Sequence, residues 1–180
     1  GGGVLCYLDL ARYLGAEQPV YGLHARGLDA AQEPHTRIED MAAEYLEALR
    51  EVQPHGPYLL GGWSLGGVVA FEMACQLEAQ GEQVSLLGLI DSTTAPIRFT
   101  AAKEDDELQL TINFAQDLGL TSNHLTVSRE GLLQMSSEER LIYLEEQAKS
   151  AKIIPEYIDH ARVARLYQVF KANMRAFQQY

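Results

Sequence analysis

The stretch Gly61-Gly62-Trp63-Ser64-Leu65-Gly66-Gly67 contains a pattern that reads directly as chemistry. Gly62, Ser64 and Gly66 form a G-x-S-x-G array, which exposes a serine at the tip of a tight strand-to-helix turn. Short glycine patterns also arise by chance, so the flanks decide. Pro57-Tyr58-Leu59-Leu60-Gly61 reads as a buried strand ahead of it, and Leu65 to Gln80 as a helix behind it, closed by Gly81. The glycines permit the turn, which holds Ser64 in a strained conformation with its oxygen above the sheet. The start of the helix favours negative charge. The backbone N–H of Leu65 would be one oxyanion donor, a group whose loss typically costs about 10²–10³ in rate. The plainer alternative is a glycine-rich turn with Ser64 as a helix cap; the flanking elements favour a catalytic serine.

A serine hydroxyl is a weak nucleophile until a histidine takes its proton, and a carboxylate orients that histidine. With this kind of elbow the chain order is serine, acid, histidine. Asp91 ends the apolar strand Val84–Ile90 that follows the serine helix, at the sheet edge where such sites assemble. Asp91-Ser92-Thr93 could equally cap a turn, but the position favours a triad acid. The five histidines are less suited. His24, His35 and His55 precede the serine, His124 lies in the polar run Thr121-Ser122-Asn123-His124, and His160 sits within a long amphipathic pattern. Each reads as a solvated or packing histidine, and the base is expected beyond Tyr180.

Around these residues, strand and helix alternate. A helix is expected from about Gly3 to Leu14, with Leu5, Leu8 and Tyr13 inward, followed by a strand at Pro19–Leu23. Thr36 and Glu39 form a capping-box pattern. The helix behind it places Ile38, Met41, Ala42, Tyr45, Leu46 and Leu49 on one face, ending before Pro54. Val84–Ile90 is apolar on both faces, as in a parallel sheet covered by helices on each side. From Thr100 onward the pattern is helical: Asp105–Leu118, Glu138–Lys149 behind a Ser136/Glu139 capping box, and Pro155–Tyr180 with Pro in its first turn. An all-helical insertion after a sheet strand suggests a lid. Residues 1–97 are thus read as an α/β core and 98–180 as a helical lid region of a single partial domain.

Hydrophobic residues make up 47% and charged residues 22% of the 180, ordinary for a globular domain. The net charge of −11 argues against nucleic acid or an anionic membrane as partner. Acidic runs such as Glu104-Asp105-Asp106-Glu107 and Glu138-Glu139 read as helix starts or solvated faces. No apolar run is long enough to span a bilayer, and Gly1-Gly2-Gly3 is not a signal peptide but the tail of a glycine-rich loop. Cys6 and Cys75 read as reduced, buried thiols of a cytoplasmic protein, and no Cys/His spacing suggests a metal.

The chain resembles the type I thioesterase domains of nonribosomal peptide and polyketide synthases. Gln18–Leu23, Tyr58–Phe71 with its Gly-Trp-Ser-Leu-Gly-Gly core, and Leu89-Ile90-Asp91-Ser92 carry the resemblance. It implies the α/β-hydrolase fold, a mostly parallel sheet with flanking helices and an all-helical lid, here incomplete at both termini. It places the nucleophile at Ser64 and the acid at Asp91, one strand earlier than in most α/β-hydrolases. It implies an acyl or peptidyl chain held as a thioester on the phosphopantetheine arm of an upstream carrier domain, with no cofactor in the domain itself. The chain would pass to Ser64 and leave by hydrolysis or macrocyclisation. The second oxyanion donor is expected before Gly1, so these 180 residues alone should turn over little. A free-standing esterase or lipase of the same fold and a catalytically silent fragment are the competing readings.

Overall fold

A computed structural model describes residues 2–29, 32–93 and 103–180, with the backbone alone for 103–106. The chain divides into two compact units, Gly2–Ile97 with Ala172–Tyr180, and Arg98–Lys171.

The first unit is built on two parallel strands. A 3₁₀ turn at Leu5–Tyr7 leads into α1 (Leu8–Leu14); α2 (Ile38–Val52), β1 (Tyr58–Trp63), α3 (Leu65–Ala79) and β2 (Val84–Ile90) follow. β1 and β2 pair in parallel from Tyr58↔Val84 to Trp63↔Ile90, with an irregularity between Tyr58 and Leu59. Right at this point Ser85 drops out of register, so Leu59 and Leu86 come to the same face. The inward residues Tyr58 and Leu60 pack on Ile38, Leu46, Val68 and Leu77 of α2 and α3. α3 is apolar around most of its circumference and is correspondingly buried at Val68, Val69, Ala70, Met73, Ala74 and Leu77.

On the face away from α2 and α3, Leu59, Trp63, Leu86 and Ile90 stand 48–58% exposed. Several expectations for this unit are corrected. Pro19–Leu23 forms no strand; Val20 and Tyr21 are exposed, and an extended segment without a ladder partner is not a strand. Leu5, Leu8 and Tyr13 are exposed rather than inward because no described residue covers that side of α1. The Thr36/Glu39 capping box does not form. α2 starts one residue later than the box requires, with extended Arg37 as its N-cap, and Arg37 holds the Glu39 carboxylate at 3.0 Å. Cys6 and Cys75 are free but exposed, not buried.

The second unit is helical: α4 (Lys103–Leu118), α5 (Arg129–Leu133), α6 (Ser137–Ser150) and the first part of α7 (His160–Gln179). Phe114 packs against Tyr167 and Phe170 at ring-centroid distances of 5.1 and 5.6 Å. The Ser136/Glu139 capping box is present. α5 was not foreseen. Ser128 caps it, and the Tyr143 hydroxyl accepts the N–H groups of Thr126 and Val127 ahead of it. α7 begins at His160, not in the Pro155 turn, because Asp159 supplies the capping carboxylate to the Arg162 N–H. The residues Ala172–Tyr180 belong with the strand unit, not with the helical one. Ala176 and Phe177 complete its apolar core, and the Tyr180 hydroxyl donates to Glu72 of α3 at 2.8 Å.

His160 is held between two glutamates, Nδ1 2.8 Å from Glu145 and Nε2 3.0 Å from Glu138. The Glu145 hydrogen bond, with Glu138 behind it, raises its pKa above the usual 6.5. Lys149 and then His160 lower Glu145 below 4.5. The His160 contribution to stability is therefore complete below its unfolded pKa and fades as pH rises through the folded value. That of Glu145 is complete above the carboxylate range and fades as pH falls. Thermal unfolding should show wild type ahead of His160→Gln at about pH 6, the gap shrinking towards about pH 9. A gap independent of pH would contradict the ion-pair account.

Candidate functional site

The turn between β1 and α3 sets the geometry. Ser64 has φ 54° and ψ −123°, a conformation costly for a side chain bearing a Cβ. Space at the turn is consumed by backbone. A Cβ on Gly62 would lie 2.2 Å from the carbonyl carbon of Gly66, so only glycine lets the chain double back so tightly. The Ser64 N–H donates to the Ile90 carbonyl at 2.8 Å, carrying the ladder one residue beyond Trp63↔Ile90. Ser64 and Asp91 thus occupy adjacent ends of paired strands, whose chains in a sheet run about 4.8 Å apart. Leu65 opens α3, so its N–H has no carbonyl a turn behind it and is available at the N-terminus of the helix.

Asp91 also carries a positive φ, 47°. Ser92, which follows it, donates its hydroxyl to the same Ile90 carbonyl at 3.0 Å. One carbonyl oxygen therefore receives both the backbone of Ser64 and the side chain beside Asp91. Gly67 makes room for this: a Cβ there would fall 1.9 Å from Ser92 Oγ. In the sequence Ser92 stands in the cap-like Asp-Ser-Thr run and in the Leu89-Ile90-Asp91-Ser92 stretch that carries the resemblance, and neither marks it as a donor to the Ile90 carbonyl.

The histidines are engaged elsewhere or exposed. His35 Nε2 is 2.5 Å from Glu44, which also takes Arg26 at 3.2 Å. His55 faces Glu82 at 3.8 Å, His124 accepts the Thr121 N–H at 3.0 Å, and His160 lies between its glutamates. His24 is exposed. Among the described residues no group of His, Cys, Asp or Glu could hold a metal ion, and no helix is long and apolar enough to cross a membrane.

A parallel-strand pair with a strained serine at the strand-to-helix turn and an aspartate at the next strand end defines an α/β-hydrolase fold. The chain belongs to the thioesterase-domain family, which it matches over residues 1–173. It is 49% identical over 109 residues to a dimodular nonribosomal peptide synthase of Bacillus subtilis (strain 168), covering 59% of this chain and 4% of that protein. Among solved structures it is similar to a four-domain nonribosomal peptide synthetase, holo-AB3403, with TM-score 0.88 and 30% identity. That match covers 100% of this chain and 14% of the other. It also resembles the NocB thioesterase domain, with TM-score 0.61 and 27% identity over 99% of this chain and 62% of that one. The chain thus spans a small part of its synthase relatives.

Proposed function

We propose that this chain is the chain-releasing thioesterase domain of a nonribosomal-peptide-type synthase, acting on an acyl or peptidyl thioester carried on the phosphopantetheine of an upstream carrier domain. The observation that carries this reading is the strained Ser64 whose N–H is bonded to Ile90, beside Asp91. The multidomain relatives support the carrier as partner. Ser64 Oγ attacks the thioester carbon as a histidine takes its proton, and Asp91 orients that histidine. The Leu65 N–H stabilises the developing oxyanion together with a second donor. The tetrahedral intermediate collapses, the histidine protonates the departing pantetheine thiolate, and the chain remains on Ser64 as an oxoester. Water then releases an acid, or an amine or hydroxyl of the chain itself closes a macrocycle. No cofactor takes part. In this reading the helical unit is the lid that governs which nucleophile arrives.

The test is substrate preference of the complete domain. Pantetheine thioesters of an acyl or peptidyl chain should be turned over at least about tenfold faster, as kcat/KM, than the matching simple esters. Equal turnover of both would sink the carrier-thioester reading in favour of a general esterase.

A further inference from the structure

Tyr7, at the end of the 3₁₀ turn before α1, reaches the serine turn from 56 residues away: its phenol oxygen accepts the Trp63 N–H at 2.9 Å. Successive N–H groups along a strand point to opposite sides. The Ser64 N–H faces β2, so that of Trp63 faces the other edge, where Tyr7 satisfies it. The same oxygen abuts Gly66. A Cβ built on Gly66 would lie 2.8 Å from the Tyr7 hydroxyl and meet no other non-local atom within 4 Å. One hydroxyl therefore touches the residue before Ser64 and the second residue after it. The segment ahead of Tyr7 is held in place: the Tyr7 N–H donates to the Val4 carbonyl at 3.0 Å, the Ala25 N–H donates to the Gly2 carbonyl at 2.9 Å, and Val4 fills the space where Gly22 lacks a side chain.

We propose that Tyr7 is a positioning residue for Ser64, its hydroxyl clamping the turn in the strained conformation and tying it to the glycine-rich N-terminal segment. A strained conformation persists only where its surroundings over-determine it. The hydroxyl holds the turn from the edge opposite to Ile90, so its loss lets Ser64 relax and the attack geometry loosen. The inference rests on Ser64 being the nucleophile.

The experiment uses the intact synthase. Tyr7→Phe keeps the ring and removes the hydroxyl. The concentration of competent sites is titrated with a fluorophosphonate probe, and thioester release is measured per titrated Ser64. The kcat should fall about tenfold or more while KM stays within about twofold of wild type, with slower probe labelling of Ser64 in parallel. Gly66→Ala, which drives a methyl group into the hydroxyl, should reproduce the loss with Tyr7 present. The double variant Tyr7→Phe/Gly66→Ala should be no slower than Tyr7→Phe, because the struck oxygen is gone. An unchanged kcat per titrated site in Tyr7→Phe, or losses that simply add in the double variant, would overturn the proposal. A merely structural role would lower thermal stability and the number of titrated sites without changing kcat per site. Failure of the wild-type synthase to label at Ser64 would instead overturn the functional reading on which the proposal rests.

Discussion

Under the mechanism proposed above, Ser64→Ala is expected to lower thioester release by at least about 10⁴-fold, since removing the nucleophile of a Ser-His-Asp triad leaves only binding and oxyanion stabilisation. The fold should not notice. Alanine carries the same Cβ into the same φ of 54°, and the 2.8 Å bond to Ile90 is made by the backbone. Ser64→Gly separates chemistry from strain: it should be equally inactive yet more stable by about 1 kcal/mol, because glycine adopts this conformation without penalty. Denaturant titration of the domain alongside the release assay checks both. Activity retained by Ser64→Ala would remove Ser64 from the mechanism. A glycine variant no more stable than alanine would show that the turn stores no strain.

The next largest effect is expected at Asp91. Asp91→Asn should cut kcat by about 10³–10⁴ with KM little changed, because an amide cannot hold the histidine in its productive tautomer or stabilise the imidazolium. Asparagine is the informative replacement here. Asp91 has φ 47°, a region that asparagine tolerates nearly as well as aspartate, whereas alanine does not. Asp91→Asn should therefore leave the thermal midpoint unchanged, and Asp91→Ala should depress it as well as the rate. Near-normal release by Asp91→Asn would place the acid elsewhere. The Ile90 carbonyl lies between the two positions, accepting the Ser64 N–H and the Ser92 hydroxyl at 2.8 and 3.0 Å.

What could be read from residue order was short-range. The turn at Gly62-Trp63-Ser64-Leu65-Gly66 was legible because its glycines, the strand before it and the helix after it lie within one local stretch. The helices α2, α3 and α6, and the capping box at Ser136, were legible for the same reason: apolar spacing and caps act over three or four residues. Where local signals misled, a neighbour outvoted them. Thr36 and Glu39 carry the capping-box pattern, but Arg37 takes the glutamate and α2 starts at Ile38. Pro155 suits a helix start, but the Asp159 carboxylate sets it at His160.

The amino-acid sequence by itself determined the chemistry on offer: a serine on a glycine-bounded elbow, an aspartate at the next strand end, and the class of fold that presents them. Tertiary structure alone decided how these groups are held. The register Trp63↔Ile90 sets Ser64 beside Asp91, Ser92 seats on Gly67, and Ala176 with Phe177 closes the core of the strand unit. Tyr7 meets Trp63 across 56 residues, a separation at which no periodicity or motif carries information. Such contacts follow from excluded volume and from the need to satisfy each backbone N–H, and both are settled only when the chain has packed.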